Sequence, residues 1–537
     1  MATAPPIPPK AWHWAIGWSI AVLLLSCVPY AIATLLAPEG WQFAGILVNP
    51  YDGHSYLAKM RQGLEGNWLL HLTCTPEPHD GAFIYIFYLA LGHLAALTHL
   101  PLILIFHLAR LVAGFTLLLT AFRFVALVTP HPHEQRLAFV LLFSASGLGW
   151  LGAIFNAFPI DLWVPEAFVP YSLYTNPHFP LAMALMLAIL QLVVWPQNSG
   201  VKKCTGDRCV PRALLAGLAA LALALVLPFA LLTVWAILAV YLTWLYVTRR
   251  RLPWLQIWPT LGVGLFSAPI IFYDYWVATT NPIIAGWTAQ NVTPAPTMLN
   301  LVLGYGVVGL LAIVGAWIIA HQDRQNSKLD GERLVLLWTI TTVVLVYLPF
   351  FDLQRRLIIG LHIPLCILAA IGLTRWLASS PLKLNYRRLV TNVVITTGAL
   401  GTFFVWGIPL IGLLLQPPAK LQTTALFFLL REEVVVFSWL RENTTQDNII
   451  LASPRLGMFV PDQTSARAFY GHPFETIEAE AKKAMLEKFY RGEIESVSPP
   501  VDFIIYGPSE QALGQPRNLT EYPVVFSTKN VVVYKAK

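Results

Sequence analysis

Long uncharged apolar runs constrain this chain before anything else does. Residues 11–38 contain no Asp, Glu, Lys or Arg, and about 20 such residues cross the hydrocarbon core of a bilayer. Comparable runs recur at 82–97, 102–128, 137–158, 179–195, 213–248, 254–273, 298–320, 334–351, 357–373 and 389–415. A backbone in lipid must satisfy its own N–H and C=O groups, so these runs are read as helices. Run 213–248 is too long for one ordinary span. Pro228 near its middle removes a backbone donor, which predicts two short helices in a hairpin. The first run is too long for a cleaved signal peptide, and no small-residue cleavage site follows it.

Composition agrees. Of 537 residues, 56% are hydrophobic and only 12% are charged, against about 25% charged in a soluble domain. The net charge of +7 is carried mostly by short connectors between apolar runs. That pattern indicates membrane orientation and not nucleic-acid binding. Lys202, Lys203, Arg208 and Arg212 mark one connector as cytoplasmic, and Arg249, Arg250 and Arg251 mark the next, so an even number of crossings lies between them. Arg136, the connector with Arg324, Lys328 and Arg333, and the one with Lys383, Arg387 and Arg388 fall on the same side. Residues 159–178 then lie outside. The scheme conflicts with itself at 82–97, which cannot be a full crossing if 102–128 runs inward. Cys204 and Cys209 share a loop, but two ligands are half of what a structural zinc needs.

Beyond Pro417-Pro418 charged residues become frequent. Residues 432–442 and 476–491 read as helices, the second with Ile477, Ala481, Met485 and Phe489 spaced by four. Residues 448–454 and 501–508 read as strands, and "PVVFS" with "NVVVYK" as a closing hairpin. The expected fold class is an all-α polytopic membrane domain of about 11–13 spans, followed by a small extracytoplasmic α/β domain. The expected boundaries are 1–419, with an outer loop at 37–81, and 420–537.

The stretch "ILVNPYDGHSYLAKMRQG" (46–63) follows the first run. Pro50 restricts φ and Asp52-Gly53 is a favoured turn pair. Residues 55–64 then form an amphipathic helix, with Leu57, Met60 and Leu64 on one side and Lys59, Arg61 and Gln62 on the other, suited to a membrane surface. Asp52 reads either as a turn and N-cap residue or as a general base that takes a proton from an acceptor hydroxyl or amide. His54 is a surface histidine at a helix start or a partner of Asp52.

The order of an apolar span, "DGHSY" at 52–56, a short amphipathic helix and "GNW" at 66–68 resembles the first outer loop of the GT-C glycosyltransferase superfamily. That group includes protein O-mannosyltransferases, oligosaccharyltransferases and lipid A aminoarabinose transferases. "HLARL" from His107, "SASGLGW" (144–150) and "NPHF" (176–179) add to the likeness. The resemblance implies transfer of a sugar from a polyprenyl-phosphate donor to an extracytoplasmic acceptor in the cell envelope, with Asp52 matching the family's acidic residue. Many relatives carry a second adjacent acid, where this chain has Gly53 and His54. A divalent metal therefore lacks an acidic pair at Asp52, and no cofactor is expected.

"FDLQRRL" (351–357) puts Asp352, Arg355 and Arg356 at the mouth of two spans. These arginines read as donor-phosphate ligands, as partners of Asp352, or as side chains snorkelling to the interface. Glu77, Asp80, Asp161, Glu166 and Asp274 fall on the same outer side, and His54, His178, Asp161 and Glu166 are candidate substrate contacts. His178 reads equally as a capping or packing residue. "YGHPFET" (470–476) sets a Gly-His turn before a helix, where an anion can bind. There is no glycine-rich phosphate loop, no His-Glu-x-x-His and no Gly-x-Ser-x-Gly. The expected partners are a polyprenyl-phosphate sugar, membrane lipid and a glycan, lipid or protein acceptor, with no nucleic acid. The alternatives are a transporter or flippase of a lipid-linked substrate, disfavoured by few intramembrane charges, and a non-catalytic membrane scaffold.

Overall fold

The structure is a computed structural model that describes residues 7–195, 210–322, 330–349, 352–415 and 426–536. Cys204, Cys209, Lys202, Lys203, Arg208, Arg324, Lys328 and Pro417-Pro418 lie outside the described residues. The chain is mostly helical. Among the described residues, eight helices are long and apolar enough to cross a membrane: Pro9–Leu35, Leu102–Val128, Pro132–Ile154, Ala230–Arg249, Trp254–Thr280, Met298–Ala320, His362–Ser379 and Leu384–Leu415. Shorter apolar helices cover Ile86–Thr98, His178–Val194 and Val210–Val226. The protein is an integral, multi-pass membrane protein.

Several expectations gain detail. The hairpin around Pro228 forms, with helices Val210–Val226 and Ala230–Arg249 on either side. Residues 82–97 contain only the 13-residue helix Ile86–Thr98. At about 1.5 Å per residue it reaches roughly 20 Å, too short to span, which removes the parity conflict. Asp274 does not end its helix as the sequence suggests. Trp254–Thr280, which carries Pro259 and Pro269 in its interior, continues about two turns beyond it.

Contacts divide the chain into two compact units. The first comprises Met1–Val28, Ala109–Phe272 and Thr293–Ile408. Its most buried long helix is His362–Ser379, which packs on Met298–Ala320. The two backbones meet at glycines: a Cβ on Gly315 would lie 2.0 Å from the Leu368 carbonyl oxygen. Small residues permit such close helix approach. At Gly306 the helix Met298–Ala320 is broken (φ 45°, ψ −127°). The backbone N–H of Leu148, within "SASGLGW", donates to the Leu303 carbonyl at 2.9 Å beside the break. That glycine-rich stretch is thus a close-approach segment. Arg375 donates to both Glu134 (2.9 and 3.2 Å) and Glu332 (2.5 and 3.1 Å), tying three helices together.

The second unit comprises Pro29–Leu108, Tyr273–Val292 and Pro409–Lys537. It joins the first loop to the C-terminal part, which the sequence reading separates at 419/420. Strand β1 (Trp41–Phe43) pairs antiparallel with β2 (Phe428–Leu430). The remaining strands are β3 (Ile449–Leu451), β4 (Arg467–Ala468), β5 (Phe503–Tyr506), β6 (Val524–Ser527) and β7 (Val532–Lys535). They form one mixed sheet in the order β4-β3-β5-β7-β6. The first three are parallel and the last two close as the expected antiparallel hairpin. Helices Arg431–Asn443 and Ala479–Tyr490 accompany the sheet.

In this unit helix Pro50–Leu64 crosses helix Ile86–Thr98 at a pair of glycines. A Cβ on Gly92 would stand 1.9 Å from the Met60 carbonyl oxygen, and one on Gly63 2.0 Å from that of Leu89. Gly92→Ala is expected to cost about 1–3 kcal/mol through forced separation of the helices. Gly17→Ala, with nothing within 4 Å, should be neutral. Thermal unfolding of the two variants in detergent distinguishes them.

Candidate active site

Helix Pro50–Leu64 starts earlier than the Asp52-Gly53 turn pair suggests. The left-handed residue is Asn49 (φ 48°, ψ 61°), Pro50 takes the first helical position, and Asp52 lies in the first turn. Proline suits that position because its missing N–H is not needed there. An ionised carboxylate in the first turn is favoured by the helix dipole. Among the described residues the Asp52 carboxylate makes no hydrogen bond to its own turn, and its side chain is 48% exposed. Gly53 serves packing: a Cβ there would meet Ile46 at 2.6 Å.

The rest of the helix is not a membrane-surface helix. Lys59 and Gln62 are each 3% exposed, as buried as Leu57 and Met60. The polar side expected to face lipid phosphates faces the C-terminal part of the same unit instead. Lys59 Nζ donates to Glu475 Oε1 at 2.8 Å and to the Ser55 hydroxyl, which donates to the same Glu475 oxygen at 2.7 Å. Arg61 Nε donates to the Asp462 carbonyl at 2.5 Å. Burial by itself raises a carboxyl pKa, but the charge of Lys59 and the hydrogen bonds donated by Lys59 and Ser55 hold Glu475 down to about 2. Burial would lower the Lys59 pKa, and Glu475 reverses it, so the net direction is up. Burial pushes the nearby Cys74 thiol well up, so it is not a ready nucleophile.

His54 is fully buried. Its Nδ1 lies 2.6 Å from Asp462 Oδ2 and its ring meets Phe459 edge-on at 4.4 Å. The candidate role in substrate contact is therefore replaced: His54 offers no exposed face and locks its helix to the segment Val460–Gln463.

The Gly-His turn at Gly471-His472 is not a helix N-terminus, because the following helix begins only at Ala479. The turn folds around Thr476, whose hydroxyl accepts from the backbone N–H groups of Gly471 and His472, each at 3.1 Å, and donates to the Cys74 carbonyl at 2.7 Å. His472 Nδ1 accepts from the N–H groups of Phe474 and Glu475 at 3.0 and 3.1 Å. Its Nε2 lies 3.5 Å from Asp52 Oδ1. Tyr51 meets the same imidazole edge-on at 5.8 Å.

In the first unit, Asp161 is fully buried. Its Oδ2 accepts from the Gly149 N–H at 2.9 Å and the Ser146 hydroxyl at 3.4 Å, so it braces the "SASGLGW" segment. Burial pushes its carboxyl up to about 6 against those hydrogen bonds. Glu166 is 3% exposed and its carbonyl accepts from the Gly360 N–H at 3.4 Å. His178 is 4% exposed with its ring 3.9 Å from that of Phe179, a packed position. Arg355 and Arg356 lie in the short 3-10 helix Gln354–Ile358. The Arg355 guanidinium lies over Trp163 at 4.6 Å and that of Arg356 over Phe229 at 5.6 Å. Trp163 stands between Asp161 and Glu166 in sequence, so the structure brings the two predicted loops of this unit together. Glu77 is drawn off to Lys482 at 2.5 Å, while the Asp80 carbonyl accepts from Asn281 at 3.1 Å.

No family model and no curated protein matches the sequence. Solved structures do match. AglB, the oligosaccharyltransferase of Archaeoglobus fulgidus, in complex with an inhibitory peptide and a dolichol-phosphate, aligns over 91% of this chain and 69% of its own at 13% identity and a TM-score of 0.52. ArnT from Cupriavidus metallidurans bound to undecaprenyl phosphate aligns over 97% of this chain and 98% of its own, at 14% identity and a TM-score of 0.52. The fold is that of the GT-C glycosyltransferases. Arabinofuranosyltransferase AftD from mycobacteria shares it over 100% of this chain and 42% of its own, at 13% identity and a TM-score of 0.52.

On this GT-C fold a metal finds little to hold it. His54 is committed to Asp462, and among the described residues no group of three His, Cys, Asp or Glu side chains converges.

The buried pair carries its own test. Lys59→Met leaves the Glu475 charge uncompensated and is expected to cost about 3–5 kcal/mol, most of it recovered when Glu475→Gln is added. Because folding depresses the Glu475 carboxyl from 4.5 to about 2, its contribution is complete above about 4.5. It is lost as the pH falls towards 2. Unfolding midpoints of the parent chain should fall across that window, and those of the double variant should fall less.

Proposed function

We propose that this protein is a membrane glycosyltransferase that moves a sugar from a polyprenyl-phosphate donor to an extracytoplasmic acceptor. Asp52 is the general base. The observation that carries this reading is the exposed Asp52 carboxylate at the head of an otherwise buried helix, on a GT-C fold. A base must be rigidly held yet open to the proton it takes, and Asp52 alone among the acids of that helix and its ionic network meets both conditions. The structures of AglB in complex with a dolichol-phosphate and of ArnT bound to undecaprenyl phosphate support the donor class.

In the proposed reaction the acceptor hydroxyl or amide gives its proton to Asp52 as its heteroatom bonds the sugar's anomeric carbon. The bond from that carbon to the phosphate oxygen breaks, and polyprenyl phosphate leaves with the electron pair. Arg355 and Arg356 hold that phosphate and offset its developing charge. The aromatic faces of Trp163 and Phe229 orient the two guanidinium planes. Residues 420–537 lie on the outer face and shape the acceptor side.

The test is transfer in vesicles from radiolabelled polyprenyl-phosphate sugars to a membrane or protein acceptor pool. Asp52→Asn should lower turnover by about 100-fold or more with unfolding unchanged, and near-parental turnover would end this mechanism. Arg355→Ala and Arg356→Ala should each raise the donor KM by about tenfold or more. Arg355→Lys should restore only part of it, since an ammonium cannot pair bidentately. A donor KM unmoved by all three would remove the arginines from the phosphate site.

A further inference from the structure

Asp52 faces a buried imidazole that comes from the far end of the chain. His472 is 3% exposed in its side chain and its Nε2 is 3.5 Å from Asp52 Oδ1. Nε2 has no hydrogen-bond partner among the described residues. Nδ1 is occupied as the acceptor of two backbone N–H groups, from Phe474 and Glu475. An imidazole nitrogen that accepts cannot carry the proton, so the ring proton is on Nε2. The tautomer is thus set by the backbone of the turn, and the nitrogen that carries the proton lies 3.5 Å from the carboxylate.

The turn is held in place independently of Asp52. Its Thr476 hydroxyl bonds the Cys74 carbonyl, and Glu475, the residue before it, is the anchor of Lys59 and Ser55. A buried polar atom without a partner costs about 1–3 kcal/mol, which a structural turn alone would have no reason to retain. Catalytic hydrogen bonds are often long in ligand-free structures and tighten when substrate binds.

We propose that His472 is a positioning residue for the reaction: its Nε2–H fixes the orientation of the Asp52 carboxylate, leaving Oδ2 for the acceptor proton. This rests on the reading of Asp52 as general base. The other groups around the pair are Tyr51 on the same helix, Tyr88 on helix Ile86–Thr98, and Tyr470, Glu475 and Lys59. Among them His472 places a ring nitrogen 3.5 Å from the carboxylate.

Two substitutions separate orientation from folding. His472→Asn places an amide oxygen near the Nδ1 position, so it keeps the acceptor for the turn and loses the Nε2 donor. His472→Gln does the reverse, reaching the Nε2 position with an N–H while giving up the turn's acceptor. With the full chain in vesicles, His472→Asn should keep the parental unfolding midpoint and donor KM. Its kcat should fall by about tenfold or more, the scale of a lost charge-assisted hydrogen bond. His472→Gln should retain more kcat than His472→Asn despite a lower midpoint. The opposite ranking, or equal losses in both, means that the ring only holds its turn and overturns the inference. Asp52→Asn assayed in parallel keeps the two readings apart. If it still turns over, the base assignment has failed. If it is inactive while His472→Asn is parental, only the role of His472 has failed.

Discussion

The pairing of Lys59 with Glu475 holds the second unit of this protein together. Both side chains are almost wholly buried, and each is tolerable there only because the other is present. Through this pair a helix directly after the first long apolar run is bound to a turn more than 400 residues later. The Ser55 hydroxyl, the His54–Asp462 contact and the bond from Arg61 to the Asp462 carbonyl extend the seam. Asp52 inherits its fixed position from that seam, since it begins the helix whose other polar groups are all committed.

The seam also explains an asymmetry within one short segment. Of the acidic and basic residues from Asp52 to Arg61, His54 and Lys59 are buried with defined partners, Arg61 donates to a backbone carbonyl, and Asp52 is half exposed. Buried polar groups require partners, so the open one is where chemistry with an outside molecule can occur. The same logic separates the acids of the first unit. Asp161 is consumed by the "SASGLGW" segment, whereas the guanidinium groups of Arg355 and Arg356 lie over the aromatic faces of Trp163 and Phe229.

Much of the architecture was legible because its causes are local. Uncharged runs of spanning length mark helices, and Pro228 splits one of them where its missing N–H predicts. Alternating apolar residues near the C-terminus give the hairpin of β6 and β7. The turn before helix Pro50–Leu64 was visible too, although Asn49 and not Gly53 adopts the left-handed conformation. The amphipathic helix was misassigned for a physical reason: a polar face looks the same in sequence whether it meets lipid phosphates, water or a buried carboxylate. His54 and the end of the helix carrying Asp274 were misplaced likewise, since burial depends on what packs against a residue, whereas His178 is packed, as one of its two readings had it. The Gly-His turn was noticed, but as an anion site before a helix that in fact begins later.

The sequence by itself determined that this is a many-helix membrane protein with an α/β tail, and that an acid follows its first long apolar run. Hydropathy and backbone hydrogen bonding act over tens of residues, so one stretch suffices to read them. Only the tertiary structure decided which acids and cations are paired and which remain available, and that His472 faces Asp52. Those contacts join positions hundreds of residues apart, and an electrostatic or hydrogen-bonded partner leaves no mark on the local pattern of either residue.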